Sequence, residues 1–202
     1  METTKNKTTL LIMAAGMGSR FGSLKQLALL GPHKKTLLHY SIYDAVHAGF
    51  DKIVFIIRRS FENEFKEAVG KYAESLVETV YCFQEMGQLP GNLPPIQREK
   101  PWGTAHAIWA AKDHIHEPFI AINADDFYGR DAFVKMHDFV ASNTDERCFS
   151  LAGYRLAATL SENGTVSRGI CTVDGDNFLT SITERTKIGR EGDTIKDLNS
   201  GV

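Results

Sequence analysis

The sequence predicts a three-layer α/β protein: a mostly parallel sheet with helices on both faces, and an antiparallel addition in the last third. Three observations carry that expectation. Short, nearly continuous apolar runs, as strands buried on both faces require, punctuate the chain. Between them lie longer segments with helical spacing of apolar residues. In the final third two β-rich runs flank Asp174-Gly175-Asp176-Asn177, residues that tolerate the positive φ of a tight hairpin.

The elements follow in order. Residues 8–13 (TTLLIM) read as a buried strand that runs into a loop of small residues, 14–22 (AAGMGSRFG). Thr36 is placed to cap a helix over residues 37–48, with Gly49 in the stop position. Residues 52–58 (KIVFIIR) form a second strand, and 60–75 a second helical stretch with Phe61, Phe65, Ala68 and Tyr72 on one stripe. Residues 78–83 (ETVYCF) are the third strand. Residues 84–101 contain Pro90-Gly91 and Pro94-Pro95, so they form a long irregular loop, a kind that compact domains reserve for function. Residues 103–115 are helical, and 118–123 (PFIAIN) form a fourth strand that stops at Ala124-Asp125-Asp126. A helix near 131–141 and a strand near 147–155 follow, then hairpin arms at 168–173 and 178–184. Alternation of this kind implies parallel strands joined by right-handed crossovers.

Composition fits one soluble domain. The 202 residues are 43% hydrophobic and 24% charged, and a chain of this length buries roughly 70% of its unfolded surface without staples. Net charge is −2 with signs mixed throughout, which leaves no nucleic-acid footprint. Cys82, Cys148 and Cys171 are odd in number, lack metal-ligand spacing and form no disulfide framework. Cys82 and Cys171 lie in apolar β-rich runs and are expected as small buried hydrophobes. The apolar run 10–15 is far shorter than the ~20 residues a membrane helix needs, and no cleavage site follows it. A cytoplasmic protein is expected, without membrane association. His114 and His116 form an HxH pair with no third zinc ligand in view, so exposed histidines are expected. Trp102 and Trp109 read as packing residues, with Trp102 also a candidate ligand contact beside Gly103.

Ligands of open α/β sheets settle at the carboxyl ends of the strands, so the loop after the first strand is the first candidate. Gly16 and Gly18 let backbone amides approach a phosphate, and Arg20 and Lys25 add full charges on the same loop. The set suits a polyphosphate whose leaving group gains negative charge. No Gly-Lys-Ser or Gly-Lys-Thr occurs, which excludes a Walker loop. Gly16, Gly18 and Gly22 give GxGxxxG, which is not the dinucleotide fingerprint. Asp125 and Asp126 end the fourth strand on the same rim, where carboxylate oxygens can hold Mg²⁺ against a triphosphate. Adjacent strand-end side chains diverge, so Asp125 is the expected direct ligand and Asp126 its support. Gly103-Thr104 opens a helix with free amides, and Gln97 offers the donor and acceptor that reading a pyrimidine edge requires. Gln84 is a second candidate in the same loop.

LIMAAGMGSRFGSLKQL, QREKPWGTAHAI and INADDF resemble the three nucleotide-binding segments of the sugar-phosphate nucleotidyltransferases. SRGI, ITER and DLNSGV are similar to that family's acceptor-binding segments, in the same order. The resemblance implies a Rossmann-like, glycosyltransferase-A-like fold in a single domain. Residues of about 8–145 would form the nucleotide-binding core and about 146–202 the acceptor-binding part. It implies that Ala14, Ala15 and Gly16 line base and ribose, and that Gly18, Ser19 and Arg20 hold the triphosphate. Lys25 would contact phosphate at the reacting centre and Gln26 the nucleotide; Gln97, Gly103 and Thr104 would form the base-reading turn. Asp125 would bind Mg²⁺, while Gly169, Glu184 and Asn199 would hold sugar hydroxyls.

The sequence departs from the family's pattern in three places. Gln97 and Gly103 stand one step further apart than in the family. Arg185 or Lys187 would replace the lysine that the family uses on the sugar phosphate. The family's second metal ligand has no match up to Val202, so the chain reads as a fragment of a longer enzyme or as one with a different metal site. The expected reaction transfers a nucleoside monophosphate from a Mg²⁺-bound triphosphate to a sugar 1-phosphate. dTTP or UTP is favoured, CTP is an alternative, and oligomerisation is left open. Transfer to a phosphocholine-like acceptor and a non-catalytic nucleotide-binding homologue are the rival readings.

Overall fold

The computed structural model describes residues 7–16, 29–30, 32, 35–91, 102–143 and 145–201. The chain divides into two compact units, residues 1–150 and 151–202.

The first unit is built on four parallel strands in the order β3-β2-β1-β4. They are β1 (Thr9–Met13), β2 (Lys52–Ile57), β3 (Glu78–Phe83) and β4 (Phe119–Asn123). The helices are α1 (Leu37–Ala48), α2 (Glu62–Phe65), α3 (Lys71–Glu74), α4 (Thr104–Ala110) and α5 (Arg130–Ser142). Side chains alternate across the strands and so build two apolar layers. Leu10, Ile12, Ile53, Phe55 and Ile57 pack on Leu38, Ile42 and Ala45 of α1, Phe65, Ala73, and Phe133 and Val140 of α5. On the other face Leu11, Val54 and Ile56 meet Cys82, Ala107 of α4 and Ala111. β2 is buried along its whole length, because it has a strand on each side and a layer on each face. This is the expected three-layer α/β architecture.

Local chemistry sets the element ends. Thr36 is extended at the N-cap of α1, and its backbone N–H donates to His39 Nδ1 at 3.3 Å. Burial, with the Lys35 charge adding to it, pulls the His39 pKa below its ordinary value. Gly49 ends α1 at φ 114°, a left-handed conformation that favours glycine. The second helical stretch is interrupted: a π turn, Lys66–Gly70, joins α2 to α3. There Gly70 passes Tyr81 so closely that a Cβ would lie 2.2 Å from the hydroxyl.

An ionic staple closes the amino-terminal edge of the sheet. Lys52 Nζ, on β2, lies 2.9 Å from Glu117 Oε1, just before β4, and donates to the His114 carbonyl at 2.6 Å. The Thr9 hydroxyl, on β1, donates to the same carboxylate oxygen. Burial would raise the Glu117 pKa, but the hydrogen bonds from Thr9, Lys52 and the His116 N–H and the Lys52 charge outweigh it. The carboxyl is held down at about 2.

The second unit is an antiparallel sheet of order β5-β6-β7, formed by β5 (Val166–Val173), β6 (Leu179–Glu191) and β7 (Thr194–Asp197). The predicted hairpin joins β5 to β6. Asp174 Oδ1 accepts the N–H groups of Asp176 and Phe178 at 3.0 and 2.9 Å, and Asn177 takes φ 65°. β6 runs beyond the expected arm, to Glu191, and Gly192 at φ 62° turns it into β7.

Two expectations are corrected. No strand forms over residues 147–155; this stretch is irregular, and Phe149 and Leu151 are exposed. The expected strand has no ladder partner among the described residues, and the Asn123 N–H of β4 bonds to the Tyr128 hydroxyl instead of to another strand. Cys171 is exposed rather than buried, because both faces of the β5–β6 hairpin carry mostly exposed residues.

Candidate functional site

β1 and β4 end together, with Met13 registered against Asn123. Their exits are tied: Ala124 N–H donates to the Met13 carbonyl at 3.2 Å, and Ala14 N–H to the Ile56 carbonyl at 2.8 Å. Ala14 and Ala15 are buried, whereas Gly16 and Asp125 are exposed immediately beyond them. The parallel pairing thus brings Ala14, Ala15, Gly16 and Asp125 to one rim of the sheet. A Cβ on Gly16 would meet no described atom within 4 Å.

The two aspartates differ. Asp126 Oδ2 accepts from Asn123 Nδ2 at 2.8 Å and, more weakly, from the Tyr128 hydroxyl at 3.5 Å. Among the described residues the Asp125 carboxylate makes no hydrogen bond or ion pair and faces solvent. No group of three or more metal-ligating side chains occurs among the described residues. Asp125 nevertheless fits Mg²⁺, which is commonly held by one or two carboxylates with the remaining oxygens from substrate phosphates and water.

The turn before α4 is held from β3. Gly103 is the extended N-cap of α4, with Thr104 exposed as its first helical residue. Gln84 Nε2 donates to the Trp102 and Gly103 carbonyls at 3.0 and 3.3 Å. The same amide lies 3.3 Å from His106 Nδ1, and His106 Nε2 contacts the Gln88 carbonyl. The Gln88 carbonyl can only accept, so His106 Nε2 carries the proton and Nδ1 is left as the acceptor facing the Gln84 amide. The Trp102 indole N–H donates to the Met86 carbonyl at 3.1 Å, and its ring stacks on His106 with centroids 5.8 Å apart. Trp102 therefore serves the packing of the turn. Gln84 is the described glutamine that reaches Gly103. The long intervening loop hides that proximity in the sequence, which ranked Gln97 above it. Gly18, Ser19, Arg20, Lys25, Gln26 and Gln97 lie outside the described residues.

In the second unit Gly169 and Glu184 are direct partners across the β5–β6 ladder. A Cβ on Gly169 would come within 3.1 Å of Ile182 Cγ2, so the exposed Ile182 side chain would have to give by a few tenths of an ångström. Asn199 Nδ2 donates to Thr186 Oγ1 at 3.0 Å, and Asn199 N–H to Asp197 Oδ1 at 3.1 Å. Thr186 lies two residues beyond Glu184 on β6, so this bond ties Asn199 to the strand that carries Glu184, the neighbour of the one that carries Gly169. Arg185 is committed to Asp197 Oδ2 and Ser200 Oγ, both at 3.2 Å. The Asn199 N–H, opposed by burial and aided by Ser200 and Arg185, holds the Asp197 carboxyl below its ordinary range. Of the two cations after Glu184, Lys187 has no ion-pair partner among the described residues.

A parallel sheet whose adjacent first and fourth strands end in a small-residue loop and an open carboxylate defines an α/β protein with its ligand rim at the carboxyl ends. The chain belongs to the nucleotidyl transferase family, whose model matches residues 9–184. It is 28% identical over 131 residues to UTP–glucose-1-phosphate uridylyltransferase of Bacillus subtilis (strain 168), a match covering 57% of this chain. The chain spans 43% of that relative's length. Among solved structures, UDP-glucose pyrophosphorylase complexed with UDP-glucose is similar at 21% identity and TM-score 0.44, covering 66% of this chain and 53% of the other. The 4-diphosphocytidyl-2C-methyl-D-erythritol synthase of Anaerococcus prevotii DSM 20548 is similar at 11% identity and TM-score 0.46, covering 89% and 65%. No helix among the described residues is long and apolar enough to cross a membrane.

Proposed function

We propose that this chain transfers a nucleoside monophosphate from a Mg²⁺-bound nucleoside triphosphate to a sugar 1-phosphate, forming a nucleoside diphosphate sugar and pyrophosphate. The in-register pairing of β1 with β4 carries the reading. It sets Ala14–Gly16 and Asp125 on one rim inside the segment that the family model matches. The similarity to a uridylyltransferase supports UTP, and Lys25-Gln26-Leu27, which resembles the thymidylyltransferases, keeps dTTP beside it.

In this reading Ala14, Ala15 and Gly16 line the base and ribose, and Gly18, Ser19 and Arg20 hold the triphosphate. Gln97, Gly103 and Thr104 form the base-reading turn, which Gln84 braces, and Gln26 touches the nucleotide. Gly169, Glu184 and Asn199 hold the acceptor's hydroxyls. Asp125 holds Mg²⁺, which when bound neutralises charge on the triphosphate and orients its α-phosphate. An oxygen of the acceptor phosphate attacks the α-phosphorus, forming one P–O bond. The bond from that phosphorus to the bridging oxygen breaks, and pyrophosphate leaves with the electron pair. The acceptor phosphate is already anionic at neutral pH, so no side chain need remove a proton. Arg20 and Lys25 stabilise the charge that grows on the leaving group, so rate comes from positioning and electrostatics.

Pyrophosphate release is measured with Mg²⁺, screening the four common triphosphates against a panel of sugar 1-phosphates. Release that depends on one acceptor is expected. Triphosphate binding without release on any acceptor would refute transfer and leave a binding module. Arg20→Ala should lower kcat/KM on the order of 10²-fold or more with melting unchanged. A folded Arg20→Ala variant of full activity would remove Arg20 from the mechanism.

A further inference from the structure

Asn123, Asp126 and Tyr128 close a ring of hydrogen bonds across the turn that carries Asp125. Among the described residues β4 is the last strand of its sheet, and Ala124 directs its N–H toward β1, so the Asn123 N–H points away from β1. No strand pairs on that side among the described residues, and the Tyr128 hydroxyl accepts it at 2.9 Å. The Tyr128 ring packs on the main core and meets Phe133 edge-on, with centroids 6.2 Å apart. That anchored hydroxyl and the Asn123 amide both donate to one atom, Asp126 Oδ2, at 3.5 and 2.8 Å. Asp126 is thereby turned back toward the strand. Asp125, its neighbour, is left facing outward with its carboxylate uncommitted among the described residues.

We infer that Asn123, Asp126 and Tyr128 are positioning residues, a bracket that fixes the turn so that Asp125 presents its carboxylate to the cation of a bound metal–nucleotide complex. The inference rests on the reading of Asp125 as the metal-holding carboxylate. A lone carboxylate on an unfixed turn must be ordered when it takes up a cation, and that cost weakens binding. The bracket removes the cost beforehand, as outer-shell hydrogen bonds do around metal ligands. Asp126 thus acts through geometry, and what it must supply is an acceptor oxygen rather than a charge on the metal.

The test is calorimetric titration of the full chain with UTP and with dTTP, each in Mg²⁺ and in EDTA, read as the ratio of the two Kd values. Asp125→Asn should collapse that ratio to near one. Tyr128→Phe and Asp126→Ala should each reduce it roughly tenfold while leaving the EDTA Kd unchanged. Asp126→Asn, which keeps an acceptor for Asn123, should retain the wild-type ratio. Wild-type ratios in Tyr128→Phe and Asp126→Ala, with Asp125→Asn collapsed, would overturn the bracket alone. An Asp126→Asn ratio as collapsed as that of Asp125→Asn would make Asp126 a ligand and also overturn it. An undiminished ratio in Asp125→Asn, or no binding of either nucleotide to the wild type, would overturn the bracket together with the reading beneath it.

Discussion

Replacing Glu117 by glutamine tests the staple at the amino-terminal edge of the sheet. The carboxylate is largely buried, its oxygen 2.9 Å from Lys52 Nζ, and the lysine is 10% exposed. Holding Glu117 at about 2, where an isolated carboxyl titrates near 4.5, corresponds to ~3 kcal/mol of folding free energy at neutral pH. The glutamine side chain would keep the shape and some hydrogen bonding but remove the charge. Lys52 would keep the His114 carbonyl at 2.6 Å and the Glu78 carboxylate at 3.9 Å. The expected loss is therefore about 2–3 kcal/mol, or roughly 5–10 °C in Tm for a protein of this size. Because the folded pKa is depressed, the contribution is complete above about pH 4.5 and is lost as pH falls through about 2. The gap between wild type and Glu117→Gln, followed by thermal unfolding with circular dichroism, should be constant from pH 5 to 7 and shrink below that. The site lies at the other end of the strands, so kcat/KM below the melting transition should not change. A Glu117→Gln Tm within a degree of wild type at pH 7 would refute this account of the staple.

Gly70→Ala forces a Cβ against the Tyr81 hydroxyl, which is bonded to Glu74 at 2.7 Å and whose ring stacks on Phe55. A stability loss of about 1–3 kcal/mol is expected from the urea midpoint, partly restored by adding Tyr81→Phe; an unchanged midpoint would refute the close approach. Burial, with Lys52 opposing it and Asp113 adding to it, pushes the Cys82 thiol up to about 11, whereas Cys148 and Cys171 are exposed. A thiol reagent at pH 8 should modify Cys148 and Cys171 quickly in the native state and Cys82 only on denaturation. Rapid native modification of all three would contradict that burial.

Much of the fold was legible because its elements are short-range statements. The apolar runs at 52–57 and 78–83, the Thr36 and Gly49 boundaries of α1, and the Asp174–Asn177 turn each depend on neighbours in sequence. Features that depend on distant neighbours were not legible. Lys52 reads as the polar start of a strand until β2 and β4 bring it to Glu117. Gln84 looks like any loop glutamine until the end of β3 meets the start of α4. The same limitation acted in reverse over residues 147–155, where the expected strand has no ladder to join among the described residues, and at Cys171, whose apolar run lies on an exposed hairpin. In the candidate site, the Asp125 rim followed from the strand-end rule, as did the differing roles expected of Asp125 and Asp126. The bonds that turn Asp126 inward join residues 123, 126 and 128 in a geometry that no residue pattern encodes.

The strand order has a consequence for how the protein is made. β1 leaves the ribosome long before β4, yet its Thr9 is paired with Phe119. Until β4 has been synthesised, nascent β1 can have β2 on one side only, and its other edge is an open row of amides and carbonyls. Vectorial synthesis at ~5–20 residues per second leaves that edge exposed for seconds. The rim of Gly16 and Asp125 is then among the last parts of the sheet to form, because its two halves require the longest loop closure of the parallel pairs. A ligand that bridges the rim would consequently select for chains that have completed the sheet.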